Sequence, residues 1–105
     1  MHKFSLIPKK DYNDIILSRI NQRQSQILMH SCIYYTYCTS IISDKSFDNW
    51  CKELVYLQKN YPKETQKSKY YERFIGFDGT TGFNLDYSDF LLKARWLIDY
   101  DKKHK

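Results

Sequence analysis

The sequence contains few residues that interrupt helices, and this scarcity indicates the fold class. Among 105 residues there are three glycines and two prolines, and valines are few. Glycine and proline break helices and β-branched valine favours strands, so a chain with little of each is expected to be helical. We predict an all-α protein: a helical hairpin plus a short aromatic helix and a C-terminal helix in one small bundle.

Long hydrophobic segments are also lacking. No apolar run approaches the roughly 20 residues that a membrane span needs. The apolar stretch at residues 4–7 is short and is followed by Lys9 and Lys10, unlike the core of a signal peptide. These absences predict a cytoplasmic protein with no membrane partner.

The cysteines and histidines do not form a metal-binding pattern. Cys32, Cys38 and Cys51 contain no Cys-x-x-Cys pair, and the three histidines are scattered. An odd number of cysteines without a secretory leader is typical of reduced thiols, which we expect to be mostly buried. We therefore predict no metal site.

Negative charge is in deficit, because 17 Lys and Arg face 12 Asp and Glu, for a formal net charge of +5. This balance argues against an acidic mimic of DNA and permits contact with nucleic acid. Several of the positive charges lie at the two ends of the chain, where charged residues usually form solvated tails.

The first helix is predicted from apolar residues that recur three, four or seven positions apart. Residues 1–10 are expected to be an irregular lead, and a single helical domain to span residues 11–105, with Asp11 as its first N-cap. Polar residues 21–26 are either a break between two helices or an exposed turn of one long helix. We favour a helix from at least Gln22 to Tyr37. Arg19, Arg23 and their neighbours predict a solvated helix face, with phosphate contact as the alternative.

The second helix begins after a short link. Ser43 is its expected N-cap, and Asp44 and Asp48 lie near its positive end, where carboxylates are favoured. Pro62 should stop the helix, and Glu53 should face outward. Because the link is short, the two helices should pack as an antiparallel hairpin.

The remaining segments are less regular. We predict a polar loop or weak turn at 63–69, a short aromatic helix at 70–77 and a turn at 78–82. The aromatic helix either stacks on bases or on a partner, or packs on the last helix. Asp86 is the expected cap of the last helix. The predicted buried face of that helix consists of Phe90, Leu91, Ala94, Leu97 and Ile98.

Residues 22–62 carry a recognisable order of features: a helix ending in Tyr34-Tyr35, a short link, Asp44, Phe47-Asp48, a Glu-Leu pair and a closing Tyr-Pro. This order resembles the small helical Ia subdomain of NAD-dependent DNA ligases. The resemblance implies a scaffold that binds the nicotinamide mononucleotide (NMN) half of NAD.

Five positions would carry that binding. Tyr34, Asp44 and Asp48 match the family's residues, whereas Tyr35 stands at its His and Phe47 at its Tyr. In the ligases, aromatic rings at these positions stack on the pyridinium and carboxylates hold its charge and ribose, because a cationic ring is attracted to π faces and anions. The tyrosines alternatively belong to the core, and the two carboxylates alternatively stabilise the helix N-terminus.

The ligase nucleophile is missing. The family forms a lysyl adenylate through Lys-x-Asp-Gly, and here Gly76 precedes Phe77-Asp78-Gly79. We therefore predict that the protein is not an enzyme, since no nucleophile–base pair or phosphate loop is apparent either. The blocks "IISD", "FDNWCKEL" and "FDGTTGF" also resemble small ligase-related proteins of phages of Gram-positive bacteria, which would place the protein in the host cytoplasm.

Three functions from different classes follow. The first is a phage-type protein that binds a host protein, for example to inhibit a defence system, and it is motivated by small size and many aromatics. The second is an NMN- or NAD-binding module with Tyr34, Tyr35, Asp44, Phe47 and Asp48 as its site. The third is a nucleic-acid-binding accessory, motivated by the net charge.

Overall fold

The computed structural model describes residues 9–80 and 84–104, with side chains from Tyr12 onward. Every regular element in these ranges is helical, which confirms the all-α prediction. The α-helices are α1 (Lys9–Tyr37), α2 (Asp44–Asn60), α3 (Pro62–Gln66) and α4 (Leu91–Lys103), and 3₁₀ turns lie at Tyr71–Phe74 and Ser88–Phe90. None of the described helices has an apolar stretch long enough to cross a lipid bilayer.

Helix α1 is a single uninterrupted helix of 29 residues. The polar residues 21–26 therefore do not break it. Lys9 and Lys10 are already helical, so the predicted N-cap at Asp11 is wrong and falls inside the helix. Residues 1–8 of the predicted irregular lead lie outside the described residues.

Helices α1 and α2 run antiparallel, as predicted for a hairpin. At one end the hydroxyls of Tyr12 and Tyr61 are 2.9 Å apart, and toward the other end His30 packs against Trp50 with ring centroids 5.2 Å apart. Helix α4 packs on the same side of the long helix. The buried apolar residues form one core: Ile20, Ile27, Leu28, Cys32, Ile33, Cys51, Leu54, Leu57, Phe74, Phe90, Ala94 and Ile98.

The start of α2 is capped as predicted. The Ser43 Oγ accepts a hydrogen bond from the Ser46 backbone N–H at 3.1 Å. The helix ends at Asn60, and Pro62 occupies the first turn of the next helix. The prediction of a loop over 63–69 is therefore wrong as far as Gln66, because proline's fixed φ suits a helix start as well as a helix stop.

The arginines predicted to be solvated are instead bound to α2. Arg23 is 9% exposed and its guanidinium donates to Glu53 Oε1 at 3.0 Å, and Arg19 donates to both carboxylate oxygens of Glu53. The expected outward orientation of Glu53 is wrong for the same reason. This contact holds the pKa of Glu53 below its usual range, chiefly through the hydrogen bond from Arg19.

Beside this ion pair, one fully buried amide joins three parts of the chain. The Gln24 Nε2 donates to Gln58 Oε1 at 3.1 Å and to Ser68 Oγ at 3.0 Å, and its Oε1 accepts from the Tyr70 backbone N–H at 3.2 Å. Because every polar atom of this side chain has a partner, its burial costs little. Two residues of the polar stretch 21–26, Arg23 and Gln24, thus belong to the interior of the hairpin.

The C-terminal elements pack on one another. The segment predicted as a helix over 70–77 forms only a 3₁₀ turn, Tyr71–Phe74. Tyr70 contacts Phe90 with ring centroids 5.7 Å apart, and Arg73 makes two hydrogen bonds to Asp89, at 2.8 and 3.0 Å. The aromatic run therefore packs against the start of α4, which is one of the two alternatives given above.

Asp86 does not cap α4 directly. Its Oδ1 accepts from the Ser88 backbone N–H at 3.2 Å, so it caps the 3₁₀ turn that leads into α4. Of the predicted buried face, Phe90, Ala94 and Ile98 are buried and Leu97 is partly buried, whereas Leu91 is 40% exposed.

Candidate functional site

A cavity of about 620 Å³ lies where the C-terminal part of α1, the link at 38–43 and the start of α2 meet. One more wall comes from Gly79 and Thr80 of the turn that follows the aromatic run. All five residues predicted from the ligase-like pattern line this cavity: Tyr34, Tyr35, Asp44, Phe47 and Asp48. The structure thus brings together residues from two helices at one open site.

The aromatic side of the cavity comes from α1 and α2. Tyr34 and Tyr35 contact each other edge to face, with centroids 4.9 Å apart and planes at 81°. Tyr34 is 58% exposed, so it is not a core residue, whereas Phe47 is partly buried against the core. Tyr37 lies apart from this group, since its hydroxyl donates to the Leu91 carbonyl at 2.9 Å. Two tyrosine rings and one phenylalanine ring therefore face the cavity.

The charged side of the cavity comes from the first turns of α2. Asp44 is the first residue of the helix and Asp48 lies about one turn further on, and both are exposed. Asp48 pairs with Lys52 at 2.9 Å, which raises the pKa of that lysine. Lys45 also lines the cavity. The rim thus carries two carboxylates and one ammonium group.

The floor contains two residues that sequence reasoning did not select, His30 and Ser31. Both line the cavity, and neither the His30 Nδ1 nor the Ser31 Oγ has a hydrogen-bond partner among the described residues, although both atoms are buried. Burial lowers the pKa of His30 to about 4, so its imidazole is neutral near pH 7. One signal was available: on a helix, these residues lie one turn before Tyr34 and Tyr35 and so share their face.

A tight turn closes the remaining wall. The Asp78 Oδ1 accepts from the Thr80 backbone N–H at 3.0 Å and from its hydroxyl at 2.7 Å, which lowers the pKa of Asp78. Gly79 has φ +83°, and a Cβ there would lie 3.1 Å from the Val55 Cγ2. The turn predicted here is confirmed for its described residues, whereas Thr81 and Gly82 lie outside them. Glycine is required because the turn approaches α2 closely.

The cavity contains one cysteine thiol, and its protonation state decides its reactivity. Cys51 lines it, but burial raises the pKa of this thiol to about 12, so the sulfur is protonated at neutral pH and is a poor nucleophile. Within residues 9–80 and 84–104, no group of three His, Cys, Asp or Glu side chains is placed to hold a metal ion. Of the cysteines, Cys32 and Cys51 are buried, as expected, and Cys38 is exposed.

A second feature is an exposed stripe on α4, made of Leu92, Trp96 and Tyr100. These side chains are 87%, 64% and 46% exposed, and they follow one another at intervals of four residues. The rings of Trp96 and Tyr100 stack with centroids 5.2 Å apart. Apolar side chains aligned on one helix face in this way are typical of a surface that contacts another molecule.

The arginines offer little support for a nucleic-acid interface. Arg19 and Arg23 bind Glu53, and Arg73 binds Asp89. Three guanidinium groups are thus paired with two carboxylates of the same chain, so their positive charge is largely but not fully offset. Phosphate contact would have to compete with these pairs or use exposed lysines.

No protein-family model matches this chain, and neither does any curated protein or solved structure. Function has to be inferred from the cavity itself. Its aromatic residues, its two carboxylates and its buried unpaired polar atoms are the features that restrict the choice of ligand.

Proposed function

We propose that the protein binds a small ligand with a cationic aromatic ring, of the NMN type, in the cavity between α1 and α2. One observation carries the proposal: Tyr34, Tyr35, Asp44, Phe47 and Asp48, which the resemblance to the ligase Ia subdomain assigns to NMN, line a single open cavity. The volume of about 620 Å³ lies within the usual range for small-ligand sites, roughly 300–1,000 Å³.

The charge of the site favours a cationic ring. Aromatic faces attract a positive ring through their quadrupole, and Asp44 and Asp48 add negative charge on the same side of the cavity. Only part of that charge is offset, because Asp48 pairs with Lys52 on an exposed helix surface, where screening by water makes the pair weak. A negatively charged aromatic ring would be repelled at this site.

The same rim also offers a partner for a phosphate. Lys45 lines the cavity one residue after Asp44, and it has no ion-pair partner among the described residues. A nucleotide carrying a cationic ring at one end and a phosphate at the other matches this distribution of charge. The ring would lie by the tyrosines and the phosphate by Lys45.

Calorimetric titration with NMN and NAD tests the proposal. We expect binding that Asp48→Asn weakens by about tenfold, the ratio that corresponds to the loss of about 1.4 kcal/mol. The matched control is Asp99→Asn, which removes a carboxylate of another exposed i,i+4 pair, with Arg95, far from the cavity residues in sequence. Absence of heat with millimolar NMN, or equal binding by both variants, would contradict the proposal.

A pair of tyrosine variants separates ring stacking from general surface effects. Tyr34 and Tyr56 are 58% and 60% exposed, and only Tyr34 lines the cavity. Because both rings are largely solvated, Tyr34→Ala and Tyr56→Ala should have similar, small effects on stability. We expect Tyr34→Ala alone to weaken NMN binding, by several-fold to tenfold.

A second candidate function is binding to a host protein, and the exposed stripe on α4 is the observation that favours it. Leu92, Trp96 and Tyr100 form an aromatic and aliphatic patch of the kind that anchors protein interfaces. Affinity capture from host lysate should recover a stoichiometric partner with the natural chain and lose it with Leu92→Glu or Trp96→Ala. Recovery that is unaffected by these variants would exclude this surface.

A further inference from the structure

Two buried polar atoms at the floor of the cavity lack the partners that buried polar atoms normally have. The Ser31 side chain is 1% exposed, and its Oγ and the His30 Nδ1 are the two buried side-chain polar atoms without a hydrogen bond in the described part of the chain. Such atoms destabilise a fold, because they have lost water without gaining a replacement. The two atoms belong to consecutive residues that line one cavity, and this coincidence requires a cause.

The fold itself supplies none. Ser31 lies in the middle of α1, where its hydroxyl could bond back to the preceding turn, yet it makes no such bond. Alanine would suit the same helical position better, both by propensity and because it buries no polar atom. Elsewhere on α1, the buried Gln24 is fully hydrogen-bonded. The unpaired atoms are thus confined to the part of the helix that lines the cavity.

We propose that His30 and Ser31 are specificity-determining residues that hydrogen-bond an uncharged carboxamide on the ligand's ring and so select the amide against the corresponding carboxylate. This inference rests on the proposed function, since it names the part of the ligand that reaches the floor. A carboxamide carries both a donor and an acceptor. The serine hydroxyl and the imidazole nitrogen can each serve as the complement of one of them.

A carboxylate fits the same place poorly. It has acceptors only, and its charge would enter a cavity that already holds Asp44 and Asp48. Burial keeps the His30 imidazole neutral at pH 7, so it provides no compensating cation. The guanidinium of Arg23 lies over the Trp50 ring and is bound to Glu53, and Arg23 is not among the residues that line the cavity. At the floor an anionic substituent would find hydrogen-bond donors but no charged partner, because Lys45 is assigned to the phosphate, and it would add to the negative charge of Asp44 and Asp48.

The test compares NMN with nicotinic acid mononucleotide, which differs only in carrying a carboxylate in place of the amide. With the natural chain we expect calorimetric titration to give at least tenfold tighter binding of NMN. Ser31→Ala should reduce that ratio by about tenfold, which is the effect expected for one lost buried hydrogen bond. His30→Phe should do the same, whereas His30→Asn, whose amide keeps a polar atom near the Nδ1 position, should retain most of the preference.

Thermal unfolding distinguishes a lost ligand contact from a damaged fold. We expect Ser31→Ala to have a Tm equal to or above that of the natural chain while it binds NMN more weakly. The matched control is Ser68→Ala, because Ser68 is also buried but its hydroxyl is hydrogen-bonded to Gln24 and to the Thr65 carbonyl. This variant should lose Tm and, where folded, keep its preference for NMN.

The possible results separate the two proposals. Binding of neither nucleotide to the natural chain would overturn the proposed function and this inference with it. Binding of NMN that depends on Asp48 but shows equal affinity for the acid would overturn this inference alone. An amide preference that survives Ser31→Ala and His30→Phe would overturn it as well, because these two residues would then not be responsible for the discrimination between amide and acid.

Discussion

The two ends of the α1 segment 23–31 differ in whether their buried polar groups have partners. At one end Arg23 and Gln24 are buried, and their polar contacts cross to α2 and to the segment beyond α3. At the other end Ser31 is buried and His30 is partly buried, and each has a buried side-chain polar atom with no partner among the described residues. The same helix supplies both pairs, only a few residues apart.

The difference distinguishes buried polar groups that stabilise the fold from buried polar groups that remain available to a ligand. A fully paired buried network holds two helices in one register and needs nothing from outside. An unpaired buried polar group lowers the stability of the fold, and such a group is retained when it serves another role, such as binding a ligand. The cavity lies at the unpaired end, which is why we propose ligand binding there and a stabilising role for the paired end.

The largest expected effect comes from breaking the paired end. Glu53→Ala leaves Arg23, whose side chain is 11% exposed, without its carboxylate. We expect a loss of about 2–3 kcal/mol in the free energy of unfolding, somewhat below the range for fully buried pairs because Glu53 itself is partly exposed. Urea unfolding measures this loss. Asp99→Asn on the exposed Arg95 pair should change stability by less than about 0.5 kcal/mol, and equal losses in the two variants would remove the distinction.

The unpaired end should make the free energy of unfolding sensitive to acid. His30 has a pKa of about 4 in the folded chain and about 6.5 when unfolded, so between these values the unfolded state binds more protons and stability falls as the pH falls. From pH 7.5 to pH 5 the expected loss is about 2 kcal/mol. Urea unfolding at both pH values measures it.

His30→Gln is the control for this pH effect. It should remove most of the loss between pH 7.5 and pH 5, since no imidazole then titrates at the cavity floor. The contribution of Glu53 lies in a separate window: its folded pKa is lowered, so its stabilisation is lost only as the pH falls below about 4.5, its unfolded value. A loss of equal size in the variant would contradict the assignment to His30.

Adding one methyl group to the wall of the cavity, at Gly79, should lower the stability of the protein. Gly79→Ala meets both a positive φ and a Cβ position 3.1 Å from Val55, whereas Gly76 has φ +75° with no atom within 4 Å of its Cβ position. We expect Gly79→Ala to cost about 1–2 kcal/mol and Gly76→Ala about 1 kcal/mol. Of the two, only Gly79→Ala should also weaken NMN binding, because it moves the turn away from α2. Denaturation and calorimetry on both variants measure these effects.

The smallest effects should have opposite signs at the two ends. Ser31→Ala removes an unpaired hydroxyl and improves helix propensity, so it should stabilise the protein by about 0.5–1 kcal/mol. Ser68→Ala removes a hydroxyl that is bonded to Gln24 and Thr65, so it should destabilise by about 1–2 kcal/mol. Destabilisation of similar size by both would show that the Ser31 hydroxyl is satisfied in solution.

Much of the fold could be predicted from local signals. The two helices followed from apolar spacing and their antiparallel packing from the short link, and the start of α2 followed from Ser43, whose hydroxyl reaches an amide only three residues away. The site residues Tyr34, Asp44 and Asp48 followed from a resemblance, and the structure places them at one cavity. The errors fell at segment boundaries such as Asp11 and Pro62, where one residue type suits more than one role.

The buried polar network could not be predicted in this way. Apolar periodicity assigns Arg23 and Gln24 to the solvent because both are polar, and their partners lie 30 to 46 residues further along the chain. Only a folded structure shows that those partners arrive at the right distance. The exposed stripe on α4 was not predicted for a related reason. Spacing alone does not show which apolar face of a helix will be covered.

The sequence by itself determined the helical class, the hairpin and the cap at Ser43, because helix propensity, capping and periodicity act within about one turn of the chain. The tertiary structure alone decided which polar side chains are buried with partners and which without. It also decided that the turn at Gly79 would close a cavity beside Tyr34 and Asp48. These outcomes depend on contacts between distant segments. The difference between Ser31, whose hydroxyl is unpaired, and Ser68, whose hydroxyl is bonded, therefore arises only in the folded chain.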